Sequence, residues 1–301
     1  MHATRDLRLP VLAFRVKLCR EAGKLAKGTA MQVALVTGAS SGMGKVIAQQ
    51  LLADGLHVIV AARRIDRMQD LADAGAAVLT LDVADQASID AAAATIEMRH
   101  RGVDVLVNNA GFGLYGALED VPMADARYQF EVNLFGLAAM TRALLPGMRA
   151  RGAGRIINIS SMGGRMYTPL GGWYHASKHA VEGLSDCLRL ELKEFDIDVV
   201  VIEPGIIETG FADVLGGPLL KYSGDGAYGE MARNVARSTA ANYAPGKGSS
   251  PQVIADVVSR AVKARHPKTR YVAGKYARLM IGIRKWLGDR VFDRLISRMA
   301  R

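Results

Sequence analysis

Val33-Ala34-Leu35-Val36-Thr37-Gly38-Ala39-Ser40-Ser41-Gly42-Met43-Gly44 carries a short apolar run into a glycine-rich turn, and an Ala-rich segment of helical spacing, Lys45 to Asp54, follows and stops at Gly55. Glycines at such a turn permit a tight bend and let phosphates approach the backbone at the positive end of a helix. The next run, Leu56-His57-Val58-Ile59-Val60-Ala61, is apolar almost throughout. Further runs at Ala77–Leu81, Val103–Asn108, Arg155–Ser160, Asp198–Glu203 and Arg270–Ala273 are separated by helical segments. Strands without polar alternation are covered on both faces, so the expected fold class is α/β, a doubly wound parallel sheet of about seven strands with helices on both sides. Ligands of such sheets bind beyond the carboxyl ends of the strands, where each motif below falls.

Few aromatics and 32 glycines favour close helix–sheet packing over a sandwich or barrel. Two cysteines, Cys19 and Cys187, give no disulfide framework, so a reducing, cytoplasmic compartment is expected. The net charge of +10 sits at the two ends. Residues 1–30 hold seven Lys/Arg against two acids and residues 261–301 twelve against two, which leaves the body acidic. Such ends suit either solvated amphipathic segments, the reading preferred here, or peripheral contact with an anionic membrane surface. Aromatic residues for base stacking are scarce among the charges, so no nucleic acid partner is expected. No apolar run reaches the length of about eighteen residues that a membrane-spanning helix needs. The chain divides into a dispensable basic extension (1–30), a catalytic domain (31–274) and a basic amphipathic helical tail (275–301).

The second strand closes with Ala61-Ala62-Arg63-Arg64, and no acid appears until Asp66. An acid there would bind the adenosine ribose of NAD and repel the 2′-phosphate of NADP, whereas Arg pairs with that phosphate through several donors. NADP(H) is therefore the expected cofactor, with Arg63 as first contact and Ser40, Ser41 and Arg64 as helpers. Asp82 follows the third strand, placed to accept from an adenine amino group. Asn108-Asn109-Ala110-Gly111 follows the fourth; taken singly these are ordinary turn residues, with Asn109 suited to loop backbone groups and Ala110-Gly111 small enough for a ribose to pack against.

Ser161 ends the fifth strand, and Tyr174-His175-Ala176-Ser177-Lys178 opens a helix. Tyr174 and Lys178, four residues apart, share a helical face, which lets an ammonium favour a nearby phenolate. His175 points away from that face and is not read as the base. With Thr37–Gly44, Asn108–Gly111, Asn133 in Glu131-Val132-Asn133-Leu134-Phe135-Gly136, and Pro204-Gly205, these residues resemble the short-chain dehydrogenase/reductase family over residues 31 to about 273. Met43 departs conservatively from the more usual Ile or Leu. The resemblance implies a Rossmann-type fold that binds NADP(H) through Gly38, Ser40, Ser41, Gly42, Met43, Gly44 and the strand-end residues. It also implies hydride transfer between the nicotinamide and a carbonyl or alcohol. In that chemistry Tyr174 is general acid or base, and Ser161 holds the substrate oxygen. Lys178 binds the ribose and lowers the tyrosine pKa, while Asn133 helps hold a water linking Lys178 to solvent. Ile207 and Thr209, after Pro204-Gly205, approach the carboxamide. A looser similarity to steroid- and retinol-dehydrogenase-like members implies a lipophilic substrate, and Phe211 to Tyr228, with four glycines, reads as a mobile apolar flap over it. A homodimer or homotetramer is expected from the family. A catalytically silent NADP(H)-binding regulator is the alternative, disfavoured because Tyr174 and Lys178 are both present.

Overall fold

The computed structural model describes residues 31–299; Cys19 and the basic extension lie outside them. Seven strands form one parallel sheet: β1 (Val33–Thr37), β2 (His57–Ala62), β3 (Ala77–Thr80), β4 (Val105–Asn108), β5 (Gly154–Ile159), β6 (Ile197–Pro204) and β7 (Arg270–Ala273). Their order, β3-β2-β1-β4-β5-β6-β7, reverses direction between β1 and β4, and this switch opens the crevice in which doubly wound sheets bind ligands. The doubly wound fold expected from the apolar runs is thus the fold observed.

Helix α1 (Gly42–Ala53) follows β1. Its Ile47 and Leu51 have no exposed surface and, with Val36, Val58 and Val258, belong to the core on one face of the sheet. Each such side chain contributes roughly 1.5–3 kcal/mol by leaving water. Short α2 (Gln69–Asp73) completes the β2–β3 crossover. The other face is covered by α3 (Gln86–His100) and by a continuous rod, α4 (Met123–Phe130), a π-helical turn at Glu131–Gly136, and α5 (Leu137–Arg151). Single π-turns gather at functional sites because the extra residue re-aims side chains; this one contains Asn133.

Helix α6 (Gly172–Glu191) starts beside β5 and carries Tyr174 and Lys178 in its first two turns. The expected flap is instead mostly helical: α7 (Phe211–Ser223) buries Leu215 and Leu219 against Tyr174 and Tyr115. Its apolar residues outweigh the loosening effect of Gly216 and Gly217. Helices α8 (Gly229–Tyr243) and α9 (Gln252–Lys263) lead to β7. The tail forms α10 (Ala277–Met299), broken at Gly288, where φ is 73°. It packs back on the body, with Phe292 and Ile296 buried against Met166, while Leu279, Trp286 and Leu287 face solvent. Among the described residues no helix is long and apolar enough to cross a membrane.

Candidate active site

At the end of β1 the chain turns through Gly38 and Gly42, whose φ angles of 68° and 55° lie in the left-handed region. That conformation is strained for a residue with a Cβ. Asn109 fastens the turn, its amide nitrogen donating to the carbonyls of Thr37 (3.0 Å) and Gly38 (3.2 Å), and Thr37 Oγ1 accepts from the N–H of Asn109 and of Ala110. Asn109 thus satisfies loop backbone, as its position suggested. Ser41, the N-cap of α1, makes no capping bond, so the first turn through Gly42, Met43 and Gly44 has no side-chain acceptor over it. Unpartnered N–H groups at a helix N-terminus suit a diphosphate, and the residues present fit a dinucleotide.

Thr209 lies over Gly42, and Ile207 is buried beside Gly274 and Gly205. Arg63 and Arg64 are exposed where β2 ends, and Arg63 Nη1 donates to the hydroxyl of Tyr128 at 2.9 Å, a contact that the sequence did not announce. Asp82 spends one carboxylate oxygen on the N–H of Ala84 (3.0 Å), closing its turn.

The chemical residues converge at the ends of β5 and α6. Ser161 Oγ accepts from the N–H of Gly163 (3.0 Å) and reaches the Tyr174 phenol. Burial is the largest influence on Tyr174 and raises its pKa; neighbouring Tyr115 raises it further, and only Ser161 opposes. Lys178 stands one turn along α6 from Tyr174. Its Nζ donates to the Ile159 carbonyl at 3.0 Å, and burial pulls it down to about 8, partly offset by Glu182 one turn along α6. Behind Glu182 lies a buried ionic cluster: Arg270 reaches Glu182 (3.0 Å) and Glu203 (3.2 Å), and Arg165 reaches Glu203 (3.3 Å). Burial, then the adjacent Glu182 charge, raises Glu203 to about 7. Asn133 spends its side chain on Phe112, accepting from the N–H at 3.0 Å and donating to the C=O at 2.9 Å, and on Ser177 Oγ. It therefore clamps the strand end that carries Gly111 to the helix that carries Lys178.

The sequence pointed His175 away from Tyr174, but its ring meets the Tyr174 ring edge-on, centroids 5.6 Å apart, while both of its nitrogens are bonded elsewhere. Its Nδ1 bonds the Gly163 carbonyl at 2.9 Å, and Nε2 accepts from the N–H of Thr168 at 3.0 Å. That pair of contacts selects the neutral Nδ1–H tautomer and ties the loop after Ser161 to α6. Burial lowers its pKa from 6.5 to about 4. A depressed histidine contributes stability that is complete above pH 6.5 and is lost as pH falls through 4. Between those limits the loss is roughly 3 kcal/mol. Thermal midpoints of the protein and of His175→Gln, measured across that range, should converge at the acid end; parallel curves would contradict this role.

Between these residues and the turn after β6 lies a largely apolar cavity of about 210 Å3, its walls including Met43, Ser161, Tyr174, Ile207, Phe211 and Met280.

Comparison with known proteins gives this arrangement its family. The family model described as short chain dehydrogenase matches residues 32–216. The chain belongs to the short-chain dehydrogenase/reductase family. Its relatives include dehydrogenase/reductase SDR family member 7B of Xenopus laevis, 34% identical over 92% of this chain and 85% of that protein. An NADPH-dependent 3-dehydrocapnine reductase of Ornithobacterium rhinotracheale is 35% identical over 88% of this chain and 96% of its own. Among solved structures, a short-chain dehydrogenase from Streptomyces avermitilis superposes with a TM-score of 0.74 at 36% identity, covering 84% of this chain and 92% of that one. This short-chain dehydrogenase/reductase is accordingly an oxidoreductase of a nicotinamide-binding family.

Proposed function

We propose that the protein is an NADPH-dependent reductase of a lipophilic ketone or aldehyde. The observation that carries the reading is the apolar cavity itself, which has Ser161 and Tyr174 in its wall and meets the nucleotide turn at Met43 and the turn after β6 at Ile207. When bound, the reduced cofactor supplies the hydride that the carbonyl carbon accepts. Ser161, whose oxygen already accepts from Gly163, keeps its proton for the substrate oxygen. Ser161 thus donates a hydrogen bond to that oxygen, and Tyr174 delivers the one proton that completes the alcohol; burial keeps its phenol in the protonated form that a general acid needs. Lys178, one turn along α6 from Tyr174, would hold the nicotinamide ribose. Phe211 and Leu215 shield it from water.

Preference for NADPH rests on β2 ending in Ala62 with Arg63 and Arg64 exposed beyond it and no acid among them. The relative named for NADPH dependence supports it. The test follows NADPH and NADH consumption with a panel of aldehydes, aliphatic ketones, steroids and retinal. Turnover is expected with NADPH and an apolar carbonyl. Arg63→Ala should raise the KM for NADPH about tenfold, the worth of one partly solvated charge-assisted bond, and leave that for NADH unchanged. Turnover with NADH alone would overturn the cofactor assignment, and no turnover with any carbonyl would overturn the reductase.

A further inference from the structure

The cavity has two unlike walls. One is a face of α8, where Val235, Ser238, Thr239 and Asn242 recur at three- and four-residue spacing with Tyr243 beside them. The other joins the turn after Ser161 to the tail helix, through Met162, Met166, Met280 and Ile296. The two belong to separate packing clusters, and the chemical residues stand between them. Ser161 directly precedes Met162. Tyr174 packs on Phe211, ring centroids 5.8 Å apart, and Phe211 packs on Tyr243 at 6.0 Å.

The α8 wall is polar and unspent. Asn242 donates to the Ser238 carbonyl at 2.9 Å, which leaves its side-chain oxygen with no protein donor among the described residues. The hydroxyls of Thr239 and Tyr243 likewise find no protein partner there, although both residues line the cavity. Burial, then the nearby Tyr174 and Tyr115 phenols, raises the pKa of Tyr243, so it stays a donor. These residues are half-buried in the open cavity, and a ligand that displaces water from them must pair their polar groups or bear the cost of leaving them unpaired. Among the described residues no charged one lines the cavity, so the matching group is neutral.

We infer that the substrate is an amphipathic hydroxy ketone. An uncharged hydroxyl, one or two carbons from the carbonyl, bonds Tyr243, Thr239 and Asn242, while an unbranched apolar chain runs the other way between Met166, Met280 and Ile296. This deepens the reductase reading and rests on it.

The test compares NADPH-dependent reduction of octyl hydroxymethyl ketone and octyl hydroxyethyl ketone with that of octyl ethyl ketone. The protein should favour one of the hydroxylated ketones at least about tenfold in kcat/KM, the worth of two neutral hydrogen bonds. Tyr243→Phe and Thr239→Val, made separately, should each cut that ratio severalfold. A fold defect would lower turnover of all three ketones without moving the ratio. Reduction of octyl ethyl ketone with no preference for the hydroxylated ketones, or a preference that survives both substitutions, overturns the inference alone. No reduction of any of the three overturns the reductase reading as well.

Discussion

Tyr174→Phe should lower kcat by about a thousandfold, within the range that loss of a positioned general acid produces, while calorimetry still detects NADPH binding. The ring is retained, so its packing on Tyr115 and Phe211, at centroid distances of 5.8 Å in each case, survives. What is removed is the proton that Ser161 helps orient. Reduction and oxidation pass through one transition state, so the loss in kcat/KM should appear in both directions. A variant that keeps a tenth or more of the wild-type kcat would remove Tyr174 from the proposed chemistry.

Gly44→Ala should do comparable damage by another route. A Cβ there would stand 2.5 Å from the Gly38 carbonyl oxygen and would collide with the Asn109 amide nitrogen that fastens the turn. Neither atom can yield without breaking the bonds from Asn109 to Thr37 and Gly38. A loss of about 1–3 kcal/mol in stability is expected from such overpacking, with NADPH affinity at least about tenfold weaker, since a 1.4 kcal/mol change in the cradle already suffices for that. Gly183→Ala is the control: no atom lies within 4 Å of its Cβ position, and the exchange within α6 should stabilise by about 0.5–1 kcal/mol through helix propensity. Equal thermal midpoints for the two variants would show that the turn tolerates the extra carbon.

The sheet was legible because a parallel strand buried on both faces must be apolar along its whole length. Val33–Thr37 and Val105–Asn108 could hardly be anything else once helical segments separated them. The positions of Ser161, Tyr174 and Lys178 were legible for a related reason, since strand ends and a four-residue helical spacing are local geometry. The region from Phe211 to Tyr228 was harder. Four glycines suggested a loose flap, and only the burial of Leu215 and Leu219 explains why α7 forms. The face of α8 went unnoticed because Ser238, Thr239, Asn242 and Tyr243 match no motif. Their helical recurrence was the one available signal, and a polar stripe usually faces water.

The sequence by itself determined the parallel α/β architecture, the glycine turn and the absence of an acid after β2, because each follows from residues close along the chain. Tertiary structure alone decided which of those residues have spare hydrogen-bonding capacity. It turned Lys178 toward Ile159, spent Asn133 on Phe112 and locked His175 as a neutral tie to Gly163. It also folded the basic tail back, so that Met280 and Ile296 became a cavity wall. Those outcomes depend on burial and on contacts between segments as distant as Met166 and Ile296. Desolvation and packing are properties of the assembled core, which no local pattern encodes.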